Sequence, residues 1–272
     1  MERSDVIGSL AGRSQTEFQS GLAGSGLQIC WPAPPPQWPV ENRGIDIWAA
    51  DLRQTDRRIA AFAATLSADE QARAARFRFD EDQNRFIVGR GLLRTVLARY
   101  VGGLPAALVF SYGAKGKPSL AATPPIKPLF FNLAHSGGLM LLAISRVCEV
   151  GVDVERIVDR EDAESIAGSH FAHCESAGLR ELPVSQRSSA FHRLWTRKEA
   201  CLKATGEGIT EHLSRVQVSF LPDEPARLVR LFGSAEAASH WTLCDLVPSS
   251  GFIGALAAPV NKIGIKCWRW QQ

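Results

Sequence analysis

Short apolar runs, separated by residues that favour turns, dominate the pattern of hydrophobic and polar positions in this chain. Residues 44–50 alternate polar and apolar positions, which predicts a first strand. Residues 139–144 are continuously apolar, which predicts a buried strand. Further strands are predicted at residues 108–112, 129–134, 149–155, 216–220, 241–246 and 252–257.

Segments with helical character lie between these strands. A short helix is predicted at residues 52–66, and the capping box of Ser67 and Glu70 begins a helical segment that reaches residue 100 with a break near Asp80. A further helix begins at residues 171–175, and another runs from Ser188 to a stop at Gly206. Each half of the chain therefore combines a long helix with several strands, which predicts an α+β fold.

The first 43 residues have a different composition. They are rich in Gly, Ser and Gln and end in the proline-rich stretch of residues 31–36. Such a composition buries little apolar surface, so we expect a disordered or loosely ordered extension whose removal leaves the fold intact.

Composition limits the class of protein. The chain has 272 residues, 45% of them hydrophobic and 22% charged, which is typical of a soluble globular protein. Its net charge of +3 is too small to indicate nucleic acid as a partner. The six cysteines lack the spacing of a zinc site, no signal peptide opens the chain, and no apolar run approaches the roughly 20 residues of a membrane span. We therefore expect a cytoplasmic protein with reduced thiols.

Charged residues on the predicted helix at residues 195–206 are the first candidates for chemistry. At helical spacing, Lys198 and Glu199 share a face with the apolar Trp195 and Leu202. Charged side chains on the buried face of a helix cost free energy unless a ligand or partner group interacts with them there. The alternative is an ordinary amphipathic helix in which Glu199 pairs with Lys203.

Two carboxylates follow one another at strand spacing. Asp153 and Glu155 point to the same face, whereas Val152 and Val154 point to the other. Neighbouring carboxylates repel unless a cation lies between them, and oxygen ligands on a rigid strand suit Mg²⁺. The alternative is the exposed polar side of an edge strand.

Three further segments carry groups that suit anions. His135 and Ser136 precede two glycines and offer donors beside open backbone amides, without the GxSxG pattern of serine hydrolases. Lys117 follows Gly116 in a flexible loop that lacks the spacing of a P-loop. Arg90 and Arg94 lie one turn apart in a segment crowded with arginine, where the alternative is a solvated helix face.

Taken in order, these stretches resemble the 4′-phosphopantetheinyl transferases, in the large single-chain branch typified by the surfactin-synthetase activator. The resemblance extends from about residue 45 to about residue 257. Ala134 stands where the family commonly has Ser, which removes one polar contact near the diphosphate, and His170 stands where a second Phe is common. The matching motifs are Gly116-Lys117-Pro118, Phe131-Asn132-Leu133-Ala134-His135-Ser136, Gly151-Val152-Asp153-Val154-Glu155 and Trp195-Thr196-Arg197-Lys198-Glu199-Ala200, followed by Lys203 and Gly206.

The resemblance implies a fold and a reaction. The fold would be two similar α+β subdomains related by a pseudo-twofold axis, at residues 44–147 and 148–272, after the extension of residues 1–43. The active site would lie between them. The enzyme would move 4′-phosphopantetheine from coenzyme A to a serine hydroxyl of an apo acyl or peptidyl carrier protein, leaving adenosine 3′,5′-bisphosphate. It would act as a monomer with no nucleic-acid or membrane partner, in fatty-acid, polyketide or peptide biosynthesis.

The resemblance also implies roles for the residues singled out above. Asp153, Glu155 and Glu199 would hold Mg²⁺, with Glu199 or Glu155 accepting the serine proton. Lys203, Lys198, His135 and Ser136 would bind phosphate oxygens, and Lys203 would also act in catalysis. Coenzyme A would be bound on its 3′-phosphate side by Arg90, Arg94 and Lys117. The alternatives are a metal-dependent phosphohydrolase, with water in place of the serine, and a coenzyme A-binding module with a decayed site.

Overall fold

The computed structural model describes residues 30–38, 43–121, 128–208 and 212–271. Two short 3₁₀ helices lie at Pro105–Ala107 and Leu213–Arg215. The α-helices are α1 (Asp56–Ala63), α2 (Ala68–Ala74), α3 (Asp80–Val101), α4 (Ala163–His170), α5 (His173–Glu181), α6 (Val184–Thr205) and α7 (Ala235–Ser239). The strands are β1 (Ile45–Asp51), β2 (Phe110–Tyr112), β3 (Pro118–Leu120), β4 (Phe130–Ser136), β5 (Leu139–Ser145), β6 (Gly151–Arg156), β7 (Val216–Val218), β8 (Leu228–Leu231), β9 (Thr242–Leu246), β10 (Phe252–Ala258) and β11 (Ile265–Arg269).

The N-terminal half is built on a four-stranded sheet with the order β11-β1-β5-β4. Helix α3 packs on this sheet, and Leu92 and Val96 meet Trp48 and Leu142 in one buried cluster. The helix begins at Asp80, as the sequence predicts, and three acidic residues in its first turn complement the helix dipole.

The C-terminal half repeats this plan on a three-stranded sheet with the order β6-β10-β9. Its long helix, α6, has 22 residues, the same length as α3, and ends at Gly206, whose φ of 79° is left-handed. Glycine adopts that conformation without strain, which is the predicted stop. The predicted α+β fold with two similar halves is confirmed.

One strand lies outside its predicted half. Strand β11 pairs in parallel with β1, with Ile45 opposite Ile265 and Ala49 opposite Arg269. The predicted C-terminal subdomain of residues 148–272 therefore needs correction, because its last strand belongs to the N-terminal sheet. A parallel pair needs a crossover connection. Here the chain returns from the second sheet to the first between β10 and β11.

A side chain joins the two sheets where β4 meets β6. The buried Asn132 on β4 accepts a hydrogen bond through Oδ1 from the backbone N–H of Val152 on β6, at 2.9 Å. This bond satisfies a backbone donor at the edge of the second sheet, and it fixes β4 beside the strand that carries Asp153 and Glu155.

The N-terminal extension is only partly described, since residues 1–29 and 39–42 lie outside the described residues. Residues 30–38 dock onto the fold, which corrects the prediction of a loose extension for this segment. Trp31 donates from Nε1 to the backbone oxygen of Val247 at 2.8 Å, and the Pro32 oxygen accepts from the N–H of Arg269. Trp38 packs on Trp48 with ring centroids 4.4 Å apart. The composition of the whole segment does not predict this docking, because the contacts are made by two individual residues, Trp31 and Trp38.

Among the helices of the described residues, none is long and apolar enough to cross a membrane.

We expect Trp38→Ala to lower the free energy of unfolding by roughly 2–3 kcal/mol, somewhat less than full truncation of a core aromatic, because Trp38 is only partly buried. Urea denaturation of the full chain measures this change. Val184→Ala, at a position 78% exposed, is the control and should stay within about 0.5 kcal/mol of the wild type. A Trp38→Ala variant as stable as the wild type would show that the segment contributes nothing to folding.

Candidate active site

The candidate site begins with the unusually close packing of helix α6 on strand β6. A Cβ atom placed on Gly151 would lie 2.0 Å from the backbone oxygen of Ala200 and 2.4 Å from the nitrogen of Ala204. No side chain fits into that space, so Gly151 is what lets the helix rest directly on the strand. The glycine of the GxDxE motif therefore sets the distance between the two elements that carry the predicted acids.

Three carboxylates meet at this junction, and we call Asp153, Glu155 and Glu199 the carboxylate cluster. Asp153 is 3% exposed and Glu199 is 7% exposed. The ammonium of Lys203 lies between them, 2.5 Å from Asp153 Oδ1 and 3.2 Å from Glu199 Oε2. Val152 and Val154 point into the apolar cluster on the other side of β6, as strand alternation predicts.

Burial makes ionisation of the cluster unfavourable. Burial and then the charge of Asp153 raise the pKa of Glu199 to about 7. Burial likewise raises the pKa of Asp153, against the opposing effect of Lys203, and raises that of Glu155. Although burial disfavours the ammonium, the two carboxylates hold the pKa of Lys203 above its usual value. A single lysine therefore does not balance the negative charge gathered here.

The described residues contain no group of three or more His, Cys, Asp and Glu side chains already arranged to hold a metal ion. Within the cluster, Lys203 lies where a cation would meet Asp153 and Glu199. One acceptor is still unused, because Asp153 Oδ2 is buried without a hydrogen-bond partner. A buried, unpaired carboxylate oxygen is costly, and a hard divalent cation would satisfy it. The donor set therefore fits Mg²⁺, provided that Lys203 moves aside.

The His-Ser turn reaches the cluster from β4. Ser136 donates from Oγ to Glu155 Oε2 at 2.7 Å, and the same Oγ accepts from the backbone N–H of Arg156 at 3.2 Å. His135 is exposed on one side. Partial burial of its ring lowers its pKa, and the positive charges of Lys203 and Arg85 lower it further. Ala134 is buried in an apolar cluster.

Lys117 lies between the two halves of the molecule. Its ammonium contacts Glu149 Oε2 at 2.6 Å and the backbone oxygen of Ala204 at 3.3 Å. Beside it is an open cavity of about 290 Å³. The cavity has residues of both halves in its wall, among them Lys115, Lys117, Phe131, Glu149 and Gly206. Neither this cavity nor a larger one of about 420 Å³ between β8, α7 and β9 has a residue of the carboxylate cluster in its wall.

The prediction that Lys198 binds phosphate is wrong in this structure. Lys198 is 0% exposed, lies 2.5 Å from Glu175 Oε2 and donates to the backbone oxygens of Leu213 and Val216. Its ammonium also sits 5.1 Å from the centre of the Phe171 ring. The segment that begins α5 and the motif on α6 therefore meet in a core ion pair between Glu175 and Lys198, and Lys198 holds α6 in place rather than touching a ligand.

Arg94 is likewise withdrawn from any ligand, which corrects its predicted contact with coenzyme A. It is 1% exposed, and its guanidinium donates to Glu70 at 2.6 Å and to the backbone oxygens of Pro105 and Leu108. Arg90 also donates to Glu70, at 2.8 Å, and is 15% exposed. Despite burial, these two arginines hold the pKa of Glu70 below its usual value. Glu70, which also forms part of the capping box of α2, thus anchors α3 to α2.

Arg85 is a charged residue that the motifs do not single out and whose charge acts on His135. It occurs among the arginines of residues 73–99, where spacing alone does not distinguish inward from outward positions. The signal that identifies it is structural, namely its charge close to His135.

Family models match both halves of the chain. One described as the 4′-phosphopantetheinyl transferase superfamily matches residues 149–257. Another, described as 4′-phosphopantetheinyl transferase, N-terminal, matches residues 51–147. The two matches meet between β5 and β6, where the structure also changes from the first sheet to the second.

Individual proteins are similar over most of the chain. The 4′-phosphopantetheinyl transferase HetI of Nostoc sp. is 39% identical over 231 residues, which is 85% of this chain and 94% of that protein. A putative 4′-phosphopantetheinyl transferase of Synechocystis sp. is 38% identical over 72% of this chain and 77% of its own length. The 4′-phosphopantetheinyl transferase of Bacillus subtilis is 30% identical over 67% of this chain and 86% of its own length.

Replacing Arg94 should affect folding rather than binding. Arg94→Ala leaves a buried carboxylate of Glu70 with only Arg90, so we expect a loss of roughly 3 kcal/mol in the free energy of unfolding. Chemical denaturation measures it, with Arg57→Ala, an exposed arginine of α1, as the control. Undiminished stability together with a selectively raised KM for coenzyme A would restore the predicted binding role.

The raised pKa of Glu199 predicts a pH-dependent stability in metal-free protein. A carboxyl whose pKa rises on folding stabilises the fold below about pH 4.5, and that contribution is lost as the pH rises through about 7. Glu199→Gln should remove it and raise stability at pH 8 relative to the wild type by roughly 3–4 kcal/mol, because a pKa raised from 4.5 to about 7 corresponds to about 1.4 kcal/mol per pKa unit.

The measurement is the thermal midpoint in EDTA between pH 5 and 8. Glu207→Gln, which removes an exposed carboxylate just beyond α6, is the control. Parallel profiles for Glu199→Gln and the wild type would contradict the account of a strained, buried cluster.

Proposed function

Because this chain belongs to the 4′-phosphopantetheinyl transferase superfamily, we propose that it moves the 4′-phosphopantetheine group of coenzyme A to a serine hydroxyl of an apo acyl or peptidyl carrier protein. The products are the holo-carrier and adenosine 3′,5′-bisphosphate. The observation that carries the proposal is the meeting of three carboxylates, Lys203 and the His-Ser turn at one junction of β6, α6 and β4.

The metal ligands in this proposal are Asp153, Glu155 and Glu199. The unpaired Oδ2 of Asp153 and the raised pKa values of all three acids support it. Bound Mg²⁺ supplies positive charge where the diphosphate is held and where negative charge develops on the leaving phosphate. We choose Mg²⁺ because a small set of carboxylates on a rigid strand suits a small, hard cation.

Lys203 changes partner in this proposal. In the structure its ammonium neutralises Asp153 and Glu199. When the acids have a metal ion to balance them, the lysine is free to hold a phosphate oxygen of coenzyme A. It then stabilises the charge that grows during transfer, as a fixed cation does in phosphoryl-transfer sites.

His135 and Ser136 hold the substrate beside the cluster. The lowered pKa of His135 keeps a neutral ring that donates one hydrogen bond to a phosphate oxygen. Ser136 fixes Glu155 through its 2.7 Å bond and so keeps that carboxylate aligned. The cavity beside Lys117 has Gly206 in its wall, three residues after Lys203, and we assign it to the nucleotide side of coenzyme A.

The serine of the carrier protein needs a proton acceptor. Glu199 and Glu155, the two glutamates of the carboxylate cluster, are the candidates, because a carboxylate beside the reacting phosphate can accept the proton. The proton leaves the serine oxygen for the carboxylate as that oxygen forms its bond to phosphorus, and the P–O bond to adenosine 3′,5′-bisphosphate breaks.

We also propose a monomer that works in the cytoplasm. Every residue assigned to the cluster, the turn and the cavity comes from one chain, so the site needs no second copy. The six cysteines are all free thiols, as expected in a reducing compartment.

The test is incubation of the full chain with coenzyme A, Mg²⁺ and a panel of apo-carrier proteins, followed by intact-mass measurement. We expect a gain of one phosphopantetheine group on the carrier, at its serine. Asp153→Asn should lower the rate by roughly 10²-fold or more, as for the loss of a group that stabilises transition-state charge. Asp56→Asn, the same change at an exposed position of α1, should keep the wild-type rate.

A reaction without carrier is the contradicting control. Turnover of coenzyme A by water alone, at the rate seen with carrier, would indicate a phosphohydrolase. An Asp153→Asn variant with full activity at saturating coenzyme A would remove the metal role of the cluster.

A further inference from the structure

Two aspartates and an alanine form one row across the three-stranded sheet, and we call Asp153, Ala255 and Asp245 the aspartate row. Asp153 of β6 lies opposite Ala255 of β10, and Ala255 lies opposite Asp245 of β9. Residues directly opposite one another on neighbouring strands point to the same face of the sheet. Helix α6 covers that face, because Ala255 is fully buried in a cluster with Ala200. The row therefore presents one carboxylate to α6 on each side of a small central residue.

Helix α6 contacts both carboxylates of the aspartate row. Lys203 lies 2.5 Å from Asp153 at one end. At the other end, Arg197 donates to Asp245 from Nε and from Nη2, over 2.7 Å in each case. An α-helix rises about 9 Å over the six residues that separate the two cations, and two strand spacings amount to about 9.5 Å. The helix thus matches the row, and the two ion pairs attach α6 to the sheet at two points.

The attachment at Asp245 is the more rigid of the two. Arg197 is 0% exposed, and its Nη1 donates to the backbone oxygen of Ser219 and, at 3.1 Å, to the Oγ of that residue. A guanidinium that donates from three nitrogens has one orientation, because its donors are fixed in a plane, whereas an ammonium is a compact charge on a flexible stem. Gly151 sets how closely α6 approaches the sheet, and Arg197 fixes the helix against sliding along the aspartate row.

Two further ion pairs of α6 lead to helices instead of the sheet. Arg187 contacts Glu164 of α4 at 2.5 Å, and Lys198 contacts Glu175 of α5 at the same distance. Packed helices can slide over small distances as one body. These two pairs therefore hold α6 to its neighbours but do not fix its position over the aspartate row.

We propose that Arg197 is a positioning residue of the metal site, which keeps Glu199 in place when Lys203 leaves the carboxylate cluster. The inference rests on the proposed function, in which Lys203 moves from Asp153 to a phosphate oxygen of coenzyme A. That movement releases one of the two attachments of α6 to the aspartate row. Because Glu199 lies two residues after Arg197, a helix still held at Asp245 keeps the Glu199 carboxylate beside the other two acids.

A positioning role differs from a contribution to stability in one measurable way. Removing either Arg197 or Asp245 alone leaves a charge without its partner, which destabilises the fold, whereas replacing both by apolar side chains of similar size restores stability. The double variant Arg197→Met/Asp245→Leu is therefore stable but lacks the rigid attachment. A structural role predicts that metal binding and transfer return together with stability, and a positioning role predicts that they do not.

The experiment combines three measurements on the full chain. They are the thermal midpoint, the Kd for Mn²⁺ in the presence of coenzyme A by electron paramagnetic resonance, and steady-state transfer to an apo-carrier. For Arg197→Met/Asp245→Leu we expect a thermal midpoint close to that of the wild type. We expect the Kd for Mn²⁺ to rise and kcat to fall, each about tenfold, as when an outer partner of a metal ligand is lost. The KM for the apo-carrier should stay at the wild-type value.

Single variants keep the test decisive if the double variant does not fold. Asp245→Asn alters an edge-strand side chain that is 35% exposed, so it should fold, and its Kd for Mn²⁺ and kcat should change in the same directions by a smaller factor. Arg197→Lys keeps the charge but not the planar donors, so it should not restore the wild-type values. The control is Arg187→Lys, the same change on α6 roughly 15 Å away, which should match the wild type in both quantities.

Two results would overturn the proposal. One is a stable double variant with the Mn²⁺ affinity and kcat of the wild type, and the other is an Arg197→Lys variant with unchanged values of both. A wild-type protein that neither binds Mn²⁺ nor modifies a carrier would instead refute the proposed function itself.

Discussion

The absence of a side chain at residue 151 determines how the two motifs of the site meet. With any Cβ at that position, α6 would have to move away from β6, because Ala200 and Ala204 already occupy the space. Glu199 and Lys203 lie on the same turns of α6, so they would move with it. The contact of Lys203 with Asp153 therefore depends on a backbone contact at Gly151, two strand positions away.

This close packing gathers charged side chains whose charges do not balance. Three acids and one lysine are buried together, and their pKa values show that the protein resists full ionisation of the acids. The surrounding ion pairs are better matched. Lys198 forms a buried pair with Glu175 that holds α6 to α5, and Glu70 pairs with both Arg94 and Arg90 and so holds α3 to α2. These buried charges of the core thus meet opposite charges, whereas negative charge exceeds positive charge at the carboxylate cluster, as expected of a functional site.

Many of the secondary-structure elements and the shared face of Asp153 and Glu155 could be predicted because their signals are local, whereas the meeting of Glu199 with these two acids was expected only from the resemblance to the family. Strand alternation separates Asp153 and Glu155 from the two valines, and the capping box and Gly206 set the helix limits. The roles of Lys198 and Arg94 could not be predicted, since helical spacing shows that a charge points inward but not what it meets there. Their partners, Glu175 and Glu70, are 23 and 24 residues away in sequence. The docking of Trp31 and Trp38 and the pairing of β11 with β1 are likewise long-range contacts that composition does not reveal.

The central claim is that the carboxylate cluster holds a divalent cation once Lys203 has moved to the substrate. A crystal structure with coenzyme A and Mn²⁺, measured at a wavelength where Mn²⁺ scatters anomalously, tests it directly. We predict an anomalous peak about 2.0–2.3 Å from oxygens of Asp153, Glu155 and Glu199, with the ammonium of Lys203 on a phosphate oxygen. A peak elsewhere, or a bound coenzyme A with Lys203 still between Asp153 and Glu199, would contradict the account.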